Sequence, residues 1–233
     1  MPGALIYKGP SRIDGQPIIV VATWDSRNSK TGSMLQTYIL REDIDPRDAN
    51  KYGEDFSICG TCDLKGEPTF DPEAKLAEQR KCYVVIGQGP TIVFKTYKRG
   101  GYPDYTDPVL RRSLGFKAMV RIGTYGDGAA APDDVWDDLL SGAAGHTAYS
   151  HNGGNPRRYM VSADSLGKAE DAWRSKYRTF RIVKDRREIV KGQEIECPSD
   201  RGVQCVNCGL CAGADVQAKS IAIVVHGGGA KYF

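Results

Sequence analysis

Seven cysteines are the residues of this 233-residue chain whose spacing most clearly indicates chemistry. Four of them lie in the fifteen-residue stretch CPSDRGVQCVNCGLC, at Cys197, Cys205, Cys208 and Cys211. An odd number of cysteines in Cx2C spacings, without an export signal, favours reduced thiols and a metal site over a disulfide framework. Thiolates suit both zinc and a [4Fe–4S] cluster, and His226 is a further ligand candidate here. Four protein ligands leave no open position, so this stretch predicts a closed centre with a structural or electron-transfer role.

Three earlier thiols form a second candidate centre, with Cys59 and Cys62 in CGTC and Cys82 in RKCYVV. Three cysteines can hold a [4Fe–4S] cluster with one iron open to substrate, or zinc with a histidine or aspartate as fourth ligand. The alternative is that Cys82 is a buried core cysteine beside an unrelated Cx2C pair. We therefore expect the reactive centre of the chain at these three thiols.

Proton-transfer candidates fall at the ends of predicted strands. The chain has three histidines, His146, His151 and His226, and histidine acts as a metal ligand or as a general acid–base near neutral pH. Asp127 in TYGDG and Asp164 in SADS lie at similar positions, and the glycines beside Asp127 permit close approach of a substrate. We predict that Asp127 and His151 are catalytic. Turn histidines bonded to the main chain and helix-capping aspartates are the alternatives.

Basic residues are unevenly placed, although the net charge is only +3. The stretch RSKYRTFRIVKDRREIVK, residues 174–191, has eight lysines and arginines against two acids. A basic face of this kind can contact phosphates, as can a lysine in the polar loop after the first strand. The predicted nucleic-acid contacts are Lys30, Arg174, Lys176, Arg178, Arg186 and Arg187. Ordinary solvated helix and strand edges, and a surface hairpin around Lys30, explain the pattern equally well.

The elements that must position these residues alternate between strands and helices. Runs rich in Val, Ile, Tyr and Phe predict strands at 17–24, 82–87, 117–125, 146–151, 159–163, 179–183 and 220–227. Helical periodicity and first-turn prolines or aspartates predict helices at 90–100, 107–114, 132–142 and 165–176. Such alternation predicts an α/β fold with a mainly parallel sheet, and polar residues after several strands favour a barrel, complete or incomplete. We predict one domain over 1–233, with an N-terminal extension 1–16 and a cysteine-rich metal-binding segment 192–233.

Two absences in the sequence bear on location. There is no apolar run of about 18 residues or more, so no membrane span is predicted. The N-terminal stretch MPGALIYKGPSRIDG lacks the apolar core of a signal peptide. We expect a cytoplasmic protein, and the sequence predicts no particular protein partner.

Several short motifs are spread over nearly the whole chain: NSKTG, CGTC…CYV, GTYGD, YSH and CPSD…CVNCGLCAG…IAIVVHG. Together they resemble a family of uncharacterised cysteine-rich proteins of tailed phages and related mobile elements. It implies the cytoplasm of a host cell and a nucleic acid or nucleotide as partner.

Two enzyme classes are more distantly similar. The alternation of strands and helices with early cysteines resembles radical-SAM barrels, here with Cx2C and a third cysteine after nineteen residues in place of CxxxCxxC. Base-exchanging transglycosylases also combine a barrel with a late zinc site, which Cys205, Cys208, Cys211 and His226 would imitate. These likenesses and the thiols predict a metal- or iron–sulfur-dependent enzyme that acts on nucleic acid or a nucleotide, by base modification or related chemistry. A non-catalytic, zinc-stabilised nucleic-acid-binding protein is the alternative.

Overall fold

The computed structural model describes residues 3–24, 28–227 and 229–233. These residues form strands β1 Gly3–Pro10, β2 Pro17–Thr23, β3 Leu35–Arg41, β4 Met119–Tyr125, β5 Gly145–Thr147, β6 Tyr149–Ser150, β7 Met160–Ala163, β8 Thr179–Val183, β9 Glu194–Glu196 and β10 Ser220–Val224. They also form helices α1 Pro46–Lys51, α2 Phe56–Cys59, α3 Gly89–Lys98, α4 Pro108–Gly115, α5 Asp133–Leu140, α6 Leu166–Arg174 and α7 Cys205–Cys208. None of the helices in these ranges combines the length and the apolar character needed to cross a membrane.

The strands are arranged in two five-stranded sheets. The first has the order β1-β2-β3-β4-β5, antiparallel from β1 to β3 and parallel from β3 to β5. The second has the order β6-β7-β8-β10-β9 and is parallel throughout. Only Ala148 separates β5 from β6, so the chain passes directly from one sheet into the other. The α/β class is confirmed, whereas a barrel is not shown by the strand pairing in the described ranges.

The four predicted helices are confirmed to within two residues, and two of them, α4 and α6, begin at a side-chain cap. Asp107 precedes α4, and its carboxylate accepts hydrogen bonds from the main-chain N–H groups of Val109 (2.8 Å) and Leu110 (3.3 Å). Ser165 caps α6 in the same way, through Lys168 N at 3.2 Å. Such caps satisfy donors that the first helical turn leaves without partners.

The prediction of a strand over 82–87 is wrong. These residues have no ladder partner; instead, the N–H groups of Lys81 and Cys82 both donate to Leu64 O, at 3.0 and 2.8 Å. Sequence also missed β1, which lies in the predicted N-terminal extension, and β3. Both strands belong to an antiparallel meander that a helix–strand alternation does not indicate.

Two apolar cores lie on the two sheets. In the larger core, residues 18–22 of β2 are fully buried on both faces, as expected for a strand covered on either side. Trp136 of α5 is also fully buried, and its indole N–H donates to Gly128 O at 2.8 Å. The smaller core belongs to the second sheet and contains Met160, Phe180, Ile221 and Ile223. The candidate functional residues lie where the two sheets meet.

Candidate active site and its cysteine clusters

The first cysteine cluster, Cys59, Cys62 and Cys82, lines a cavity of about 100 Å³ at the carboxyl ends of β4, β6 and β7. Cys59 is the last residue of α2, and a 3.2 Å hydrogen bond from Cys62 N to Cys59 O closes the turn between the two thiols. The hydrogen bonds to Leu64 O bring Cys82 to the same place. Cys82 therefore belongs with the CGTC pair and not with a separate part of the core.

His151 joins this cluster to a carboxylate. It follows β6, and its Nε2 lies 2.9 Å from Asp164 Oδ1, beyond the end of β7. Burial by itself would lower the pKa of His151, but hydrogen bonds to Asp164 and to the Cys62 thiol outweigh it and raise the pKa to about 10. Lys168 Nζ donates to the other Asp164 oxygen at 3.2 Å. The result is a chain of polar contacts from the Cys62 sulfur through His151 to Asp164 and Lys168.

Asp127, the other predicted catalytic residue, is fully engaged with its neighbours. Its Oδ1 accepts from Ala129 N at 3.0 Å, and its Oδ2 accepts from His151 N and Asn152 Nδ2, both at 2.8 Å. Its own N–H donates to Ile58 O at 2.6 Å. Asp127 lines the cavity, but these bonds make it a clamp that ties the end of β4 to α2 and to the loop after β6.

The chemistry of the first cluster fits a metal, although its thiols stand apart. Within the described ranges, no group of three or more His, Cys, Asp or Glu side chains is close enough to hold a metal ion. Burial raises the pKa of Cys59 and of Cys82, and neighbouring thiols contribute to the same effect. These sulfurs therefore interact electrostatically, although they are not close enough together to share one metal ion. Metal binding here therefore requires side-chain rotation and loss of the thiol protons.

His151 is oriented as metal-bound histidines commonly are. Such histidines donate one ring N–H to a carboxylate and bind the metal through the other nitrogen. With Nε2 bonded to Asp164, His151 presents Nδ1 toward Cys62. The donor set of three thiols and one imidazole is typical of zinc sites, and the three thiols alone suit an iron–sulfur cluster with one open iron.

The second cysteine cluster surrounds a small cavity of about 20 Å³, which is lined by Cys197, Cys205, Cys208 and Cys211. Burial is the main reason that the pKa of Cys211 rises to about 12, and the other three thiols add to it. The four predicted ligands are thus brought together, but not at metal-binding distance. Hydrogen bonds from Cys205 N to Lys30 O (2.9 Å) and from Val206 N to Thr31 O (3.1 Å) tie the loop after β2 to this cluster.

His226, the predicted extra ligand, has other contacts. Its Nδ1 lies 3.1 Å from Val224 O, and its ring stacks against Tyr83 with centroids 5.9 Å apart. It lines a larger cavity that also reaches Cys197, Cys205 and Cys211.

Most of the predicted nucleic-acid contacts pair with acidic neighbours. Arg186 bonds to Glu196 at 2.7 Å, and Arg187 bonds to Asp185 at 2.9 Å. Arg174 pairs with Asp171 one helical turn away. Lys30 lies 3.6 Å from Asp200, while Lys176 is exposed. The basic run in the sequence is therefore largely balanced by local acids.

Arg178 differs from the rest of that group because it points inward. It is 5% exposed, and its guanidinium donates to Lys219 O at 3.0 Å and to Leu210 O at 2.7 Å. These bonds hold the segment after the second cysteine cluster, so Arg178 cannot contact a phosphate without breaking them.

Sequence reasoning missed several residues of the interior. Lys168 extends the His151 contacts, Tyr83 and Tyr149 line both the first cavity and the larger one, and Arg121 lines the larger one and donates to both tyrosine hydroxyls. One signal was present: an arginine inside the apolar strand MVRIGTY, where a charge is seldom buried without a partner. Comparison of the chain with protein-family models, with curated proteins and with solved structures finds no match.

Proposed function

We propose that this chain is a metal- or iron–sulfur-dependent enzyme that acts on a nucleotide, with its reactive centre at Cys59, Cys62 and Cys82. The observation that carries the proposal is the convergence of these thiols, from two separate loops, on one cavity with His151 and Asp164. When bound there, zinc would supply a Lewis acid and an iron–sulfur cluster would supply electrons or an open iron.

The residues around the thiols are suited to positioning and proton transfer. With a metal held by the three thiols alone, Asp164 orients the His151 ring and favours its charged form, so His151 can hold a proton at the cavity wall at neutral pH. Asp127 and Asn152 fix the main chain on either side of His151. We therefore assign proton transfer to His151 and positioning to Asp127, which narrows the role that sequence alone predicts for Asp127.

A nucleotide is a better substrate for this arrangement than a polymer. The candidate residues line two adjoining cavities of about 100 and 310 Å³, and a concave site of the larger size suits a small ligand. The basic residues predicted to meet a nucleic acid are largely paired with acids. If the chain were instead a nucleic-acid-binding protein without catalysis, its binding to DNA or RNA would weaken steeply with salt.

A second candidate function needs no metal, and the Cys62–His151–Asp164 contacts favour it. A thiol beside a histidine that is oriented by a carboxylate is the arrangement of cysteine nucleophiles. In that case the Cys62 sulfur would bond to an electrophilic carbon, and the leaving group would depart with its electron pair and take the proton of His151.

Matched cysteine variants separate the two candidates. Cys59→Ser, Cys62→Ser and Cys82→Ser are purified without oxygen beside Cys208→Ser, which alters only the second cluster, and circular dichroism checks that each is folded. The metal proposal predicts that the first three variants each lose the metal of the first cluster. Cys208→Ser should keep that metal and lose only metal bound at the second cluster. Unchanged metal in Cys59→Ser and Cys82→Ser, with iodoacetamide labelling lost only in Cys62→Ser, would instead establish the thiol nucleophile.

A further inference from the structure

A second cavity, of about 310 Å³, adjoins the first one and has no role in the proposed chemistry so far. The two cavities share Tyr83 and Tyr149 as walls. Tyr149 stacks on Phe180 with ring centroids 4.3 Å apart, and Tyr83 stacks on His226. A cavity of this volume with aromatic walls lies in the size range of small-molecule sites, which begins at about 300 Å³.

Arg121 of β4 is the unusual feature of this cavity. It is 8% exposed, and its Nη2 donates to Tyr83 Oη at 3.1 Å and to Tyr149 Oη at 2.8 Å. Among the described residues, its buried Nε has no hydrogen-bond partner and no carboxylate forms an ion pair with its guanidinium. A buried guanidinium without a counter-charge is costly, because arginine stays charged in proteins.

The other buried arginines of the chain make the contrast clear. Within the described residues, four have carboxylate partners and one, Arg178, has several main-chain carbonyls. The carboxylate-paired residues are Arg41, Arg111, Arg158 and Arg181. Arg121 has only two neutral phenols, so its environment lacks the negative charge that the fold supplies elsewhere.

A second buried group without a partner lies next to Arg121. Thr147 of β5 is in register with Arg121 across the parallel pair, is 3% exposed, and has a hydroxyl with no hydrogen bond. Lys30 and Lys81 also line the cavity, and no aspartate or glutamate among the described residues does. The wall therefore presents a buried guanidinium and an unused hydroxyl, together with two lysines, of which Lys30 lies 3.6 Å from Asp200.

We propose that this cavity binds the phosphate of a nucleotide-sized ligand through Arg121 and Thr147, with Lys30 and Lys81 at its edge. Guanidinium groups and hydroxyls are common phosphate donors, and the aromatic walls suit a planar ring. The ligand's phosphate would supply the missing counter-charge, and the rest of the ligand would extend past Tyr83 and Tyr149 toward the first cysteine cluster. Only the identification of this ligand with the substrate rests on the proposed function.

One other source of negative charge exists, because Cys205 and Cys211 also line the cavity. If a metal–thiolate centre at the second cysteine cluster balanced Arg121, the arginine would stabilise that centre and would bind no ligand. The two explanations differ in what removal of Arg121 does.

Titration calorimetry at low salt tests the proposal with inorganic phosphate, pyrophosphate and AMP as probes. We compare wild type with Arg121→Gln, Thr147→Val and, as an exposed-cation control, Lys75→Gln. A charge-assisted hydrogen bond is worth roughly 10- to 100-fold in affinity, so Arg121→Gln loses at least that factor. Thr147→Val removes one hydrogen bond from a neutral hydroxyl to the charged phosphate and weakens binding roughly 10-fold. Lys75→Gln binds as wild type does.

Valine has nearly the same shape as threonine, and Thr147→Val breaks no hydrogen bond among the described residues. This variant therefore tests the site even if Arg121→Gln fails to fold. The proposal is overturned if wild type binds none of the probes at millimolar concentration, or if Arg121→Gln and Thr147→Val both bind the probes with wild-type affinity. It is also overturned if Arg121→Gln loses metal from the second cluster while wild type binds no phosphate. Phosphate binding by protein without metal at Cys59, Cys62 and Cys82 would leave this site standing and remove the proposed function.

Discussion

Substitution of Asp127 by asparagine tests whether this residue is a clamp or a proton carrier. Asp127 is 6% exposed, and both of its oxygens accept hydrogen bonds, one from Ala129 N and the other from His151 N and Asn152 Nδ2. An asparagine has one oxygen only. Whichever way it is turned, its amide group faces a donor, so at least one of these N–H groups loses its acceptor.

The cost follows from that geometry. The less damaging orientation leaves Ala129 N–H without an acceptor, and a buried donor in that state costs about 1–3 kcal/mol. The two remaining bonds change from a charged to a neutral acceptor, which weakens each by about 1 kcal/mol. Part of this is offset because a neutral amide is easier to bury than a carboxylate. We expect Asp127→Asn to lower the free energy of unfolding by about 2–4 kcal/mol.

Urea unfolding followed by circular dichroism measures this change. Asp134→Asn is the matched control, because the Asp134 side chain is 72% exposed and its loss costs less than about 1 kcal/mol. If Asp127→Asn unfolds within about 0.5 kcal/mol of wild type, the clamp is refuted. Full stability combined with lost activity would return Asp127 to the catalytic role that its sequence position suggests.

Three further predictions concern stability. Glu194→Gln breaks the buried ion pair with Arg181, whose two hydrogen bonds measure 2.7 and 2.9 Å. In urea titrations it should lower the free energy of unfolding by about 3–5 kcal/mol, whereas replacing both residues with methionine should cost less. Equal costs for the two variants would contradict this. Burial raises the pKa of Asp55 to about 6 despite its hydrogen bond from an asparagine amide, so its protonated form stabilises the fold below about pH 4 and this contribution is lost as pH rises through 6. Asp55→Asn should therefore unfold at higher temperature than wild type at pH 8 but not at pH 4, and a gain at pH 4 alone would reverse the sign. A Cβ on Gly115 would clash with a main-chain carbonyl oxygen of α5, so Gly115→Ala should lower the free energy of unfolding by about 3 kcal/mol or more. Gly167→Ala is the control, because a Cβ there meets open space. Equal melting temperatures for the two variants would refute the packing argument.

Local features account for what sequence could predict. The helices followed from their caps and prolines, since these act within one turn of the chain. Cx2C spacing indicated that Cys59 lies near Cys62 and that Cys205, Cys208 and Cys211 lie together, whereas Cys82 reaches the first cluster through its hydrogen bond to Leu64 O. The pairing of His151 with Asp164 could not be predicted, because it depends on β6 and β7 being neighbours in the second sheet.

The contacts of the basic stretch 174–191 could not be predicted from the sequence. Sequence places Arg178 and Arg186 in one charged stretch, yet the first turns inward to main-chain carbonyls and the second pairs with Glu196. Similarly, the sequence shows that Arg121 stands in an apolar strand, but its function depends on its register with Thr147 and on the cavity beside them. Residues that act through non-local contacts carry little local signal.

Metal-edge anomalous diffraction from crystals of anaerobically purified protein tests the central claim most directly. The account predicts an anomalous peak between the sulfurs of Cys59, Cys62 and Cys82, beside His151. Crystals that hold metal at the second cysteine cluster but have no peak in the first cavity would contradict it.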